Sequence, residues 1–274
     1  MTDEIFEKIN VKFVIPEMRE IQNVENGSKS DNNEVINFEN FLGFLHFHTT
    51  WSDGINSLEE MINAALNMGY KYAAVCDHSK SAFYANGLSE ERILLQRKEI
   101  VDVEKSYPIK LLSGIECDIL SDGELDYSDD ILSEFNFVVA SVHSRFNLAE
   151  NEMTDRIIKA VENPYTNVLG HPTGRLLLSR AAYQLNIKKV IDACSRNNVA
   201  IEINSNPHRL DLDWRNIQYA KEKECLFSIN QDAHSIDDLE NIKYGIGIAR
   251  KGEITPLEVI NCFDIEKFIK FTNK

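Results

Sequence analysis

From Phe41 onward, short apolar runs alternate with amphipathic stretches in a repeating order. The runs are FLGFLHF (41–47), KYAAVC (71–76), IKLLSGI (109–115), FNFVVASV (135–142), TNVLG (166–170), NVAIEI (198–203) and CLFSI (225–229). Between them lie segments of helical periodicity: SLEEMINAALNMG from Ser57, ERILLQRKEIVDVEK from Glu91, MTDRIIKAVEN from Met153, IKKVIDACSRN from Ile187 and WRNIQYAKEKE from Trp214. Ser57 with Glu60 three residues on predicts a capping box, and Gly69 a helix C-terminus. Nearly continuous apolar strands alternating with helices predict a parallel sheet covered by helices. Seven such units predict an α/β fold closed into a distorted seven-stranded (βα)7 TIM-like barrel, with a doubly wound open sheet as the competing architecture.

The first forty residues break this pattern. Gln22–Glu34 is polar and turn-rich and reads as a linker or mobile arm. The other reading is an arm ordered on the domain through Phe13, Val14 and Ile15. The expected division is thus an N-terminal arm over 1–40 and one domain over 41–274. A protein partner held by that arm is one consequence.

Composition narrows the function classes. The 274 residues are 43 % apolar and 27 % charged, with a net charge of −15 and a pI near 4.9. That balance argues against coating nucleic acid by charge alone, because duplex binding rests on neutralising phosphates. No apolar run approaches the ~20 residues that span a bilayer. Met1–Asn10 lacks the basic n-region of a signal peptide, so a cytoplasmic location is expected. The five cysteines (Cys76, Cys117, Cys194, Cys225, Cys262) form no CxxC and read as packing residues.

The chemistry stands at the ends of the apolar runs. His46 and His48 close the first, with Asp53 after them. His78, Glu116, His143, His171 and Asn204 follow the next five, and Asp232 and His234 the seventh. Six of the seven histidines fall at these points. A parallel barrel opens the carboxyl ends of all its strands on one face. Six imidazoles gathered there would leave ring nitrogens without partners unless cations are bound. Imidazole with carboxylate suits Zn²⁺, Mn²⁺ or Fe. In HFH, period-two alternation predicts that His46 and His48 share one side. Nine ligating groups exceed one site, so two to three ions with a bridging carboxylate are expected. Such ions activate water and neutralise phosphoryl charge, which points to phosphate-ester hydrolysis.

Further residues flank the rim. Arg145, Arg175 and Arg209 have the fork that suits a phosphate, with Lys80 weaker. His208, Asn204 and Asn206 read as loop residues or substrate contacts. Phe83, Tyr84 and Tyr183 read as packing or base-stacking groups. Asp118 and Asp122 read as turn and cap residues of a solvated loop.

The segments LHFHTTWSDG (45–54), AVCDHS (74–79), GIECDIL (114–120), ASVHS (140–144), LGHPTGRLLL (169–178), EINSNPHRLDLD (202–213) and NQDAH (230–234) resemble the motifs of the PHP (polymerase and histidinol phosphatase) superfamily. HPTGRLLL and the NPxRLDLD pattern resemble more narrowly the C-terminal PHP domain of bacterial family X DNA polymerases. The likeness covers roughly residues 40–270. IPEMRE (15–20) resembles the linker preceding that domain, although forty residues cannot hold a polymerase domain. The resemblance implies three metals: one on His46, His48, Glu116 and Asp232, a second on Glu116, His143 and His171, and a third on Asp53, His78 and His234. Glu116, His143, Asp232, Arg175 and Arg209 are then the residues expected to carry catalysis. The implied activity is a Mn²⁺-dependent 3′–5′ exonuclease or phosphodiesterase acting on single-stranded ends or nucleotides. The alternatives are a phosphomonoesterase of a small metabolite, an amidohydrolase, and a nuclease-like subunit that acts only with a partner. Phe44 departs from the pattern, since polymerase-linked members usually carry an acid there.

Overall fold

The computed structural model describes Lys8, residues 14–19 and residues 35–273; most of the expected linker lies outside them. Seven strands run parallel in chain order: β1 (Gly43–Phe47), β2 (Tyr72–Val75), β3 (Lys110–Asp118), β4 (Phe137–Ser141), β5 (Val168–Leu169), β6 (Ala200–Asn204) and β7 (Phe227–Asn230). Past β7 the chain returns to the end of β1, where Phe47 bridges Ala233 and the His48 N–H donates to the Ala233 carbonyl at 2.8 Å. That return makes the sheet a nearly closed barrel rather than an open sheet.

Helices cover the outside: α1 (Leu58–Asn67), α2 (Glu90–Ser106), α3 (Asp129–Leu132), α4 (Glu150–Val161), α5 (Ile187–Arg196), α6 (Ile217–Glu222), α7 (Ile242–Lys251) and α8 (Ile265–Thr272). The Ser57–Glu60 capping box forms as expected, and Gly69 follows α1 at φ +96°. The described cysteines are free thiols, all but Cys262 fully buried, in keeping with packing roles.

The core has two layers. Between sheet and helices lie Phe44, Phe47, Met61, Ile115, Ile157 and their neighbours. Inside the barrel lie Leu45, Tyr72, Phe137 and Val139, sealed at one end by Phe268 and Phe271 of α8. With that end filled by apolar rings, the opposite end is left for polar groups.

Several details differ from the sequence reading. Strand β3 continues to Asp118, so Glu116 lies within a strand. Strand β5 is only two residues long. The sequence reading names no helix at α3, α7 or α8; in α7, Gly245 and Gly247 weaken helical propensity. A Cβ on Gly245 would stand 2.6 Å from Ser205 Cβ and 2.7 Å from Ile229 Cγ2, so the glycine lets α7 approach β6 and β7.

Upstream of the barrel, Ile36 and Met18 are buried. Arg250 of α7 donates to the Ile36 carbonyl at 2.9 Å and pairs with Glu17 at 3.4 Å. Residues 16–18 thus pack on the outer layer. Among the described residues no helix is long and apolar enough to cross a membrane.

Candidate metal centre

The end of β1 does not alternate regularly. Leu45 faces the barrel interior, yet Phe44 and Phe47 both lie outside, with rings stacked at 4.3 Å. Residues three apart cannot share a face of a regular strand. The break is a bulge at His46, whose φ is 52° and where the pairing with β2 shifts. His46 and His48 therefore both turn to the rim, as expected, although period two alone is not the reason.

Glu116 of β3 is the hub. Its Oε1 lies 3.3 Å from His46 Nε2, 3.3 Å from His143 Nε2 and 3.0 Å from His171 Nε2. Its Oε2 lies 3.0 Å from His78 Nδ1 and 3.6 Å from His48 Nε2. Asp232 Oδ1 stands 3.0 Å from His48 Nε2 and 3.6 Å from His46 Nε2. On the outer side, Asp53 Oδ1 stands 3.3 Å from His234 Nε2 and 3.5 Å from His78 Nε2. Ligand atoms converge within 4.8 Å in four overlapping groups: His46–His48–Glu116–Asp232, Glu116–His143–His171, His48–Asp53–His78–His234 and His78–Asp118–His143. The nine sequence-selected residues are thus brought together at one end of the barrel.

Backbone strain accompanies them. His46, His171 and Asp232 have φ of 52°, 22° and 53°, a region that costs a non-glycine residue about 1–3 kcal/mol. The Asp53 loop is held from beneath by Asp77, which is fully buried. Asp77 accepts from Thr49 N and Oγ1 at 2.8 Å each, Ser52 Oγ at 2.5 Å and Gln96 Nε2 at 2.6 Å.

The charges are strongly coupled. Burial lowers His143 and His234, but carboxylates outweigh it. Glu116 and Asp118 raise His143 to about 10, and Asp53 and Asp232 raise His234 to about 9. Burial, with His234 and His78 close by, drops His48 to about 3. Burial alone would raise Glu116 and Asp232, yet the surrounding imidazoles hold both well below the carboxylate range.

Hydrogen bonds leave a specific deficit. His46 Nε2, His48 Nδ1, His78 Nδ1, His171 Nδ1 and Glu116 Oε2 are buried with no hydrogen bond. Such atoms are costly to bury; His46 Nε2 and His78 Nδ1 stand 3.3 Å and 3.0 Å from Glu116, a gathering of lone pairs that fits divalent cations, whereas His171 faces Glu116 with its Nε2. In three of the six rim histidines the other ring nitrogen is tethered in the manner of a metal-ligating histidine. His46 Nδ1 donates to Glu202 Oε1 at 2.5 Å, His143 Nδ1 to Asp118 Oδ1 at 2.6 Å and His234 Nδ1 to the Asp232 carbonyl at 2.8 Å.

Two of those partners escaped the sequence reading. Glu202 stood inside an apolar run, and its neighbours gave no sign that β6 turns it inward. Asp118 is corrected: it is buried on β3 against His143, not a solvated cap. The arginines separate as well. Arg209 lies 3.5 Å from Asp232 Oδ2, and its buried Nη1 has no acceptor. Arg175 is committed elsewhere, to Asp213 at 2.5 Å, to the Arg209 carbonyl at 2.8 Å and to the Leu210 carbonyl.

The other flanking residues also sort out. Lys80 pairs with Glu90 at 3.3 Å, and His208 is exposed. Asn204 is buried and donates to Asp232 at 3.0 Å, whereas Asn206 caps its own turn at the His208 N–H. Tyr183 is a packing residue whose hydroxyl donates to the Pro172 carbonyl, while Phe83 and Tyr84 are 89 % and 70 % exposed. Phe44 is fully buried in the outer layer, so its side chain points away from the cluster.

Fold and site together define a parallel barrel built to hold several cations on a rim of imidazoles and carboxylates. A family model of the PHP domain matches residues 45–206, and the chain belongs to that family. It is 40 % identical over 272 residues to the DNA polymerase/3′-5′ exonuclease PolX of Bacillus subtilis (strain 168), a match covering 97 % of this chain and 47 % of that protein. The chain thus spans about half the length of that relative. It is also 27 % identical over 241 residues to a probable phosphatase of Caldicellulosiruptor bescii, covering 82 % of this chain and 93 % of that one. Among solved structures, histidinol phosphate phosphatase from Lactococcus lactis, complexed with zinc, L-histidinol and phosphate, superposes with a TM-score of 0.59 at 18 % identity. That match covers 77 % of this chain and 94 % of the other, and it bears on the fold.

Proposed function

We propose that this PHP-family phosphoesterase is a phosphodiesterase acting on single-stranded 3′ ends or short nucleotides, with two to three Mn²⁺ or Zn²⁺ ions in its rim. His46, His48, Glu116 and Asp232 would hold the first ion. Glu116, His143 and His171 would hold the second, and Asp53, His78 and His234 the third. When bound, such ions supply an activated water near neutral pH and neutralise charge on the phosphoryl oxygens.

The observation that carries this reading is the set of buried, unbonded imidazole and carboxylate atoms converging around Glu116. This chain's own groups do the rest. Arg209 offers its free Nη1 beside Asp232, placed to donate to a phosphoryl oxygen as charge builds there. Arg175 serves by fixing the backbone of Arg209 and Leu210 rather than by touching phosphate. Asn204 orients Asp232. The exposed rings of Phe83 and Tyr84 suit an unstacked base, which favours a nucleotide diester.

A monoester substrate is the second reading, supported by the nearly full-length match to the probable phosphatase. Mn²⁺-supported turnover of bis(p-nitrophenyl) phosphate against p-nitrophenyl phosphate, with release from 3′-labelled single-stranded DNA, separates the two. Diester preference with nucleotide release is expected; monoester preference would replace the first reading with the second.

A further inference from the structure

An open groove of about 540 Å³ adjoins the cluster, sharing His143 and Asp118 with it and lined also by Ser121, Ser144, Tyr84 and Arg145. The last two lack the partners that would explain them. Tyr84 is 70 % exposed, its ring lies 6.2 Å from the His78 ring and 6.5 Å from the His143 ring, and its hydroxyl makes no hydrogen bond among the described residues. Arg145 is exposed and forms no ion pair or hydrogen bond among the described residues, in a chain whose acids outnumber its Lys and Arg by 15. Its φ of 58° lies in the left-handed region, uncommon for a residue other than glycine. The groove's acids are already engaged: Asp118 accepts from His143 at 2.6 Å, and Asp122 accepts from Glu124 N at 3.1 Å.

We infer that this groove is a subsite for the nucleotide on the 5′ side of the scissile phosphate. Its base stacks on Tyr84, and its 5′-phosphate is gripped by Arg145. This rests on the phosphodiesterase reading above and adds the substrate's second point of recognition. Arg145 follows His143 by two residues, so their Cα atoms are at most about 7 Å apart, and both line the same groove. Arg is suited to the role because its fork donates two parallel hydrogen bonds to a phosphate.

The test compares thymidylyl-thymidine with the same dinucleotide carrying a 5′-phosphate, in Mn²⁺, for the parent protein, Arg145→Ala and Arg145→Lys. In the parent the 5′-phosphate should raise kcat/KM about tenfold, the effect of one charge-assisted contact at an exposed site. Arg145→Ala should bring the ratio of the two substrates to about one, and Arg145→Lys should restore part of it. Tyr84→Leu should raise KM for both dinucleotides, with Tyr84→Phe close to the parent. A parent ratio near one, or an unchanged ratio in Arg145→Ala, overturns the subsite while leaving a phosphodiesterase intact. Failure to cleave any diester, with monoesters turned over, overturns the reading on which it rests.

Discussion

His46 and Glu202 are 156 residues apart in sequence and 2.5 Å apart at Nδ1 and Oε1, both fully buried. The same carboxylate accepts from the His171 backbone N–H at 2.6 Å and from Asn230 Nδ2 at 2.8 Å. One acid therefore fixes the ring orientation of one ligand and the backbone of another. Glu202→Gln should lower Mn²⁺ affinity about 10- to 100-fold, the usual loss when a group orienting a metal-bound histidine is changed. Isothermal titration against the parent measures it; unchanged affinity would remove Glu202 from the site.

Glu116 contacts five imidazoles from both of its oxygens. Glu116→Ala should therefore lose two ions together, whereas Asp53→Ala should lose one. Elemental analysis of reconstituted, desalted protein reads the stoichiometry. Full retention of metal in Glu116→Ala would reject its bridging role.

Without metal, His143 and His234 hold protons at neutral pH, with values of about 10 and about 9. A cation must displace those protons, so binding should release about two into the buffer and tighten as pH rises toward 9. The sign for folding is opposite. Both values are raised, so their contribution to the metal-free fold is complete below the unfolded value near 6.5 and is lost as pH rises through about 9 to 10. Metal titrations in two buffers of different ionisation heat check the first statement. A buffer-independent heat would contradict it.

Phe268 is fully buried in the apolar plug, 4.9 Å from the Tyr72 ring and 5.5 Å from the Phe137 ring. Phe268→Ala should cost about 3–5 kcal/mol of unfolding free energy. Because the plug closes the end of the barrel away from the rim, metal stoichiometry should survive. Urea unfolding followed by elemental analysis tests both halves.

The barrel and its rim were legible because strand–helix phase spaced His48, His78, Glu116, His143, His171, Asn204 and Asp232 at intervals of 27 to 38 residues, with His46, Asp53 and His234 close to the first and last of them. The supporting acids were not. Glu202 sits where alternation in an apolar strand suggests nothing about which face it takes. Asp118 lies in ECDILSDGELD, whose polarity reads as loop, although β3 carries on through it. Likewise Arg175 and Arg209 look equivalent as rim arginines; only the fold shows that Asp213 and two carbonyls occupy the first. Helix α7 is hidden by two glycines; Gly245 permits close packing, which local propensity does not encode, while a Cβ on Gly247 would meet only open space.

The bulge at His46 makes alignment of β1 a matter of counting. Regularising the pleat would turn Phe47 to the inner face that Leu45 occupies and swing His48 toward the apolar layer between sheet and helices. Grafting His-Phe-His onto an ordinary strand would thus reproduce the letters of this site without its grip, because the extra half-step travels with the backbone.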